Sequence, residues 1–213
     1  MTEPDVTITD FLLSLEALAF ALLIARSATT PLQRWFTIFF VATAVASLAG
    51  ALVHGFFSDN KILWRLVLIA LGVVAAAAWA IGAHMLFSDR VAYLITLAAW
   101  IAFVAYALII AYISDTFSVA IVNYLPATLF LIVAFFTASR ESAAMPLALG
   151  LGGLVLTLIA AGVQQSGIAL HPKYFNHNAL YHLLQAIALF LIFRGAVFLT
   201  TGIATLVPRG TRP

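Results

Sequence analysis

His171-Pro172-Lys173-Tyr174-Phe175-Asn176-His177-Asn178-Ala179-Leu180-Tyr181-His182 runs without a break into the apolar stretch Leu183–Thr200. A bilayer core about 30 Å thick takes about 20 helical residues to cross. The segment therefore reads as a membrane-spanning helix with histidines at its entry. Three of the protein's five histidines stand here, and a fourth, His54, ends another apolar run. Ionisable or metal-binding side chains are costly to hold at the end of a lipid-buried helix, so they mark a functional site by default.

The remainder of the chain has the same character. Only 8% of its residues are charged and 64% are hydrophobic, and the mean hydropathy is +1.12. A water-soluble core has no use for that much apolar surface. The runs are long and show no alternating strand pattern, which excludes a transmembrane β-barrel. A dispersed net charge of +2 gives no reason to expect nucleic acid, and no cysteine is present to form a disulfide, a thiolate metal site or a nucleophile. The acidic start, Met1-Thr2-Glu3-Pro4-Asp5, lacks the basic region of a cleaved signal peptide. The first helix is expected to be retained.

Seven spans follow: Thr9–Ser27, Arg34–Phe57, Ile62–Phe87, Val91–Ile113, Phe117–Ala138, Met145–Gln165 and Asn178–Thr201. Short breaks with turn and capping chemistry separate them, among them Thr29-Thr30-Pro31, Ser58-Asp59-Asn60 and Arg140-Glu141-Ser142. The expected fold is an all-α polytopic membrane protein, one seven-helix bundle forming a single domain over residues 1–213. Arg26, Arg34, Arg90, Arg140, Arg194, Arg209 and Arg212 fall on the face opposite the N-terminus, against Lys61, Arg65 and Lys173 on the N-terminal face. The basic excess marks the cytoplasmic side, which puts the N-terminus outside and the C-terminus inside, in a bacterial inner membrane.

The polar residues crowd the outer half. Asn178, His182 and Gln185 share one helical face, as do Ser47, Gly50 and His54. Glu16 reads as a lone carboxylate inside a span, either a proton relay or a structural anchor. Asn123, Gln164, Gln165 and His171 are further candidates for one polar cavity. Pro126 marks either a kink at the cavity wall or a simple kink. His177 and His182 are about 500° apart on a helix, so they converge only if His177 precedes the first turn. For each histidine the alternative is an interfacial residue bonded to backbone and water. His54 and His182 are expected to meet, directly or through an ion or water, with helices 2 and 7 as neighbours.

Seven spans, a histidine ending helix 2 and Asn178-Ala179-Leu180-Tyr181-His182 opening helix 7 resemble the CREST superfamily of alkaline ceramidases, adiponectin receptors and Per1-type proteins. Asn178 stands where that superfamily has the first histidine of His-x-x-x-His, and Gly50 where it has a serine. The last stretch also resembles an uncharacterised bacterial seven-helix family. The superfamily resemblance implies zinc-dependent hydrolysis of a lipid amide or related lipid bond. His54 and His182 would hold zinc, with His177 or His171 replacing the missing histidine, and Ser47, Asp59 or Glu16 would polarise or relay protons. The alternative is a non-enzymatic lipid-binding receptor or small transporter with a His/Asn/Gln-lined cavity. A membrane lipid is the expected partner in either case.

Overall fold

The breaks between apolar runs work as helix caps. Thr30 and Gln33 form a reciprocal capping box at the start of the second helix, with Pro31 in its first turn. The Asn60 side chain accepts from the backbone N–H groups of Ile62 and Leu63, at 3.1 Å each, and the Asn176 side chain does the same for Asn178 and Ala179. The computed structural model describes residues 1–26, 30–171 and 173–206. Its helices are α1 (Pro4–Ala25), α2 (Pro31–Gly55), α3 (Lys61–Leu86), α4 (Asp89–Tyr112), α5 (Phe117–Ser142), α6 (Met145–Ser166) and α7 (His177–Leu206). All seven are long and apolar enough to cross a membrane, and the chain is an all-α integral membrane protein. Ser27, Thr29, Pro172 and the C-terminal tail with Arg209 and Arg212 lie outside the described residues.

Several boundaries differ from the sequence reading: α2 begins at Pro31 rather than Arg34, α7 runs on to Leu206, and α1 and α5 differ as well. α1 starts at Pro4, which occupies the first turn where no backbone N–H is needed, and Asp5 follows it. Asp10 is therefore well inside the span, and Glu16 is not its lone carboxylate. α5 runs through Pro126 and on to Ser142 before Ala143 turns the chain at φ 49°.

Six helices close a ring in the order α1, α2, α3, α5, α6, α7, with α7 returning to α1. α4 lies outside it, packed on α3, with Trp100 also near Trp35 of α2. α2 and α7 meet only marginally, because α1 packs against both.

The half of the ring away from the N-terminus is filled with aromatic rings. Phe36, Phe40 and Phe135 are fully buried. Phe20 stacks on Phe193 at 4.3 Å and meets Phe40 edge-on at 5.6 Å. Small residues draw the backbones together, as membrane helix pairs require. A Cβ at Gly153 would come within 2.6 Å of the Ala188 carbonyl oxygen, so α6 and α7 touch there backbone to backbone.

Candidate functional site

The N-terminal half of the ring holds a cavity of about 210 Å³ lined by every ring helix and by no residue of α4. On α3 it runs from Trp64 to Ala78 and on α7 from Asn178 to Ile192. Both stretches make fourteen residue-to-residue steps, about 21 Å of helix, so the cavity reaches some two thirds of the way through a hydrocarbon core of about 30 Å. The aromatic plug lies beyond it. The outer end carries Asp10, Ser47, His54, Asn178, His182 and Gln185, and the deep end carries leucine, isoleucine, alanine and Phe39 together with Thr43, Thr128 and Thr157, whose hydroxyls donate to their own helix backbones.

His182 is the best-anchored polar residue. It is 8% exposed and Asp10 is 4% exposed. Its Nδ1 lies 3.1 Å from Thr9 Oγ1. The Thr9 hydroxyl donates to the carbonyls of Asp5 and Val6, at 2.9 and 3.0 Å, so its oxygen is left to accept from Nδ1–H. Nε2 then faces Asp10 Oδ1 at 3.2 Å. Ring and carboxylate thus form a close, buried pair at ion-pair distance. On the other side of the carboxylate stands Gly50, where a Cβ would come within 2.7 Å of Asp10 Oδ2. The glycine at position 50 thus makes the room that Asp10 occupies.

His54 has a carboxylate of its own. Its Nδ1–H donates to Glu3 Oε2 in a more exposed pair. The backbone N–H groups of Thr2 and Glu3 donate to the carbonyls of Gly55 and His54, at 3.2 and 3.1 Å. These are end-of-helix carbonyls that would otherwise lack partners. Asp5 Oδ2 accepts from the Asn176 N–H at 2.9 Å. The first residues of the chain therefore tie α2 to the entry of α7.

Elsewhere on the wall, Gln164 Nε2 donates to Asn178 Oδ1 at 3.3 Å and Gln185 Nε2 to Thr157 Oγ1 at 3.4 Å. The Gln185 carbonyl oxygen is buried without a partner. Tyr124 and Tyr181 also line the cavity.

Of the candidates read from sequence, Ser47, His54, Gln164, Asn178, His182 and Gln185 share this cavity, and the others lie outside it. Asp59 is exposed beyond the end of α2. Glu16 is half-buried on α1, its Oε2 without a partner. Asn123 yields its place to Tyr124, one residue on. Gln165 is exposed and donates to Gln164. His171 is exposed, and its Nδ1 accepts from the backbone of Lys173 and Tyr174 at 3.2 Å each, closing a turn rather than lining the site.

A zinc ion on His54, His177 and His182 does not fit these residues. His177 is the first residue of α7, within the regular turn, and so points away from His182. Both ring nitrogens of His182 already have protein partners, and His54 is bonded to Glu3. Among the described residues no three histidine, aspartate or glutamate side chains gather as a metal-holding group. Each imidazole is paired with a carboxylate of the N-terminal segment, Glu3 just before α1 and Asp10 on it, and both imidazoles line the one cavity. Asp10, Glu3 and Thr9 were missed as partners. The signal available was three acidic residues, Glu3, Asp5 and Asp10, within one helical stretch whose Pro4 is a first-turn residue.

No curated protein and no solved structure matches the chain. A family model, described as a family of unknown function, matches residues 6–201, a stretch that reaches from Asp10 through His182 and enters all seven helices. The chain belongs to that family, DUF6962.

Proposed function

We propose that the protein binds an amphiphilic small molecule in the ring cavity, polar end outward and apolar end toward the aromatic plug. The observation that carries this is the gradient along one cavity, from a buried carboxylate, imidazoles and amides to a mainly apolar end whose threonine hydroxyls are spent on their own helices, over about 21 Å of helix. The plug closes the inner end, which suits a binding protein or receptor better than an open conduit. The cavity is taken to open outward in a bacterial inner membrane. That orientation is supported by the arginines on the opposite face, and cysteine labelling at Ser58 and Arg140 in intact cells tests it.

Trp64 on the cavity wall provides the main test. In a variant with Trp35, Trp79 and Trp100 changed to Phe, a brominated alkyl alcohol quenches Trp64 saturably. Ala78→Phe, which fills the deep end, abolishes the saturable part. Quenching that rises linearly, or that survives Ala78→Phe, refutes the reading.

A second reading, hydrolysis of a lipid amide or related lipid bond, is supported by the Asp10–His182 pair. An imidazole oriented by Asp10 serves as a general base once its Nδ1 is released from Thr9, and Ser47 stands on the same cavity wall. Release of a fluorogenic amine from a fatty amide, lost in both Ser47→Ala and His182→Ala, would bring this reading forward. It keeps the resemblance to the superfamily hydrolases but without their zinc.

A further inference from the structure

We propose that the ligand is a protonated amine on an apolar body, with its ammonium group seated between Asp10 and His182. This rests on the amphiphile reading and names the head group.

The charges lining the cavity select for a cation. Among the described residues that line it, Asp10 is the one carboxylate and none is lysine or arginine. Both imidazoles are already matched to carboxylates, His54 to Glu3 and His182 to Asp10. A carboxylate or phosphate head would meet Asp10 with no free cation to receive it, and such heads are bound by charge-assisted donors.

The hydrogen-bond inventory points the same way. Nδ1 of His182 is committed to Thr9, which leaves Nε2 and the Asp10 carboxylate as two cavity-lining groups 3.2 Å apart. An ammonium group brings three donors of its own and can serve both. One turn further along α7, the buried Gln185 carbonyl oxygen is a third acceptor without a donor. An alcohol has a single donor and leaves acceptors unmatched, which is costly in a buried site. Trp64, Phe117 and Tyr124 line the outer end, and aromatic faces attract cations.

The experiment uses the full chain in phosphatidylcholine nanodiscs with three soluble probes of equal length: hexylamine, hexanol and hexanoate. Hexylamine is protonated at neutral pH, as a lysine amine is. Calorimetry, corrected with empty nanodiscs, is expected to show hexylamine binding about tenfold or more tighter than hexanol, as a hydrogen bond to a charged group provides, with hexanoate weakest. Asp10→Asn brings hexylamine down to the level of hexanol. Gln185→Leu lowers hexylamine binding by a smaller factor. If Asp10→Asn is not recovered folded, the wild-type ratio of amine to alcohol decides the matter alone. Equal binding of amine and alcohol, stronger binding of hexanoate, or an amine preference that survives in folded Asp10→Asn overturns the proposal and leaves the amphiphile reading standing. Saturable binding of none of the three removes both.

Discussion

Gly50→Ala tests whether the Asp10 carboxylate lies where the bundle puts it. The added Cβ would stand 2.7 Å from Oδ2 and 3.3 Å from Cγ of Asp10, so the carboxylate must turn. It is not free to do so, since Oδ1 is held 3.2 Å from His182 Nε2. Driving a side chain off its rotamer costs about 0.5–1.5 kcal/mol, and parting a buried polar group from its neighbour costs about 1–3 kcal/mol. Alanine returns about 1 kcal/mol as the better helix former. The net loss is about 0.5–3.5 kcal/mol. At roughly 2–4 °C per kcal/mol for a chain of this size, the thermal midpoint in detergent drops by several degrees. Gly162→Ala is the control: a Cβ there meets nothing within 4 Å, so it gains helix propensity alone and the midpoint rises slightly. In an Asp10→Ala background the collision disappears and Gly50→Ala becomes stabilising, a change of sign that measures the coupling. A Gly50→Ala protein as stable as Gly162→Ala would refute the packing of Asp10 against α2.

Three further outcomes are expected. Gly153→Ala meets the Ala188 carbonyl oxygen at 2.6 Å. That atom is backbone and cannot rotate aside, so overpacking costs about 1–3 kcal/mol, read as a lower thermal midpoint; an unchanged midpoint would mean α6 and α7 are further apart. Asp5→Ala removes the acceptor of the Asn176 N–H, and hydrogen exchange at 173–178 accelerates severalfold for a bond worth about 1 kcal/mol, whereas unaltered exchange would show that the N-terminus does not hold α7. Chelator treatment leaves thermal stability unchanged; stoichiometric zinc lost on His54→Ala and His182→Ala would reinstate a metal centre.

Hydropathy and turn chemistry sufficed for the bundle. The starts of α5 and α6, Phe117 and Met145, are where the sequence puts them. α1 was placed late because Glu3, Asp5 and Asp10 lower the hydropathy of its first two turns, although those residues are spent on His54, Asn176 and His182. Helical periodicity put Asn178, His182 and Gln185 on one wall, and they share it. Which helix stands next to which is not written in periodicity. Pairing His54 with His182 assumed that α2 and α7 adjoin, and α1 stands between them. Gly50 illustrates the same limit: sequence marks it as a close-packing site, but only the bundle shows that its neighbour is a carboxylate.

The position of α4 outside the ring is a matter of parity. Each helix reverses the chain, so α1–α2–α3 and α5–α6–α7 run down, up and down in the same sense only because α4 carries the chain back across the membrane between them. The ring is thus two parallel triplets, the arrangement produced by an axis along the membrane normal. Its two seams join helices that point the same way, α3 with α5 and α7 with α1, and the Asp10–His182 pair bridges the second seam. Excising α4 would therefore not trim the protein. It would turn the second triplet upside down and carry Asn178, His182 and Gln185 to the opposite side of the membrane from Asp10 and His54.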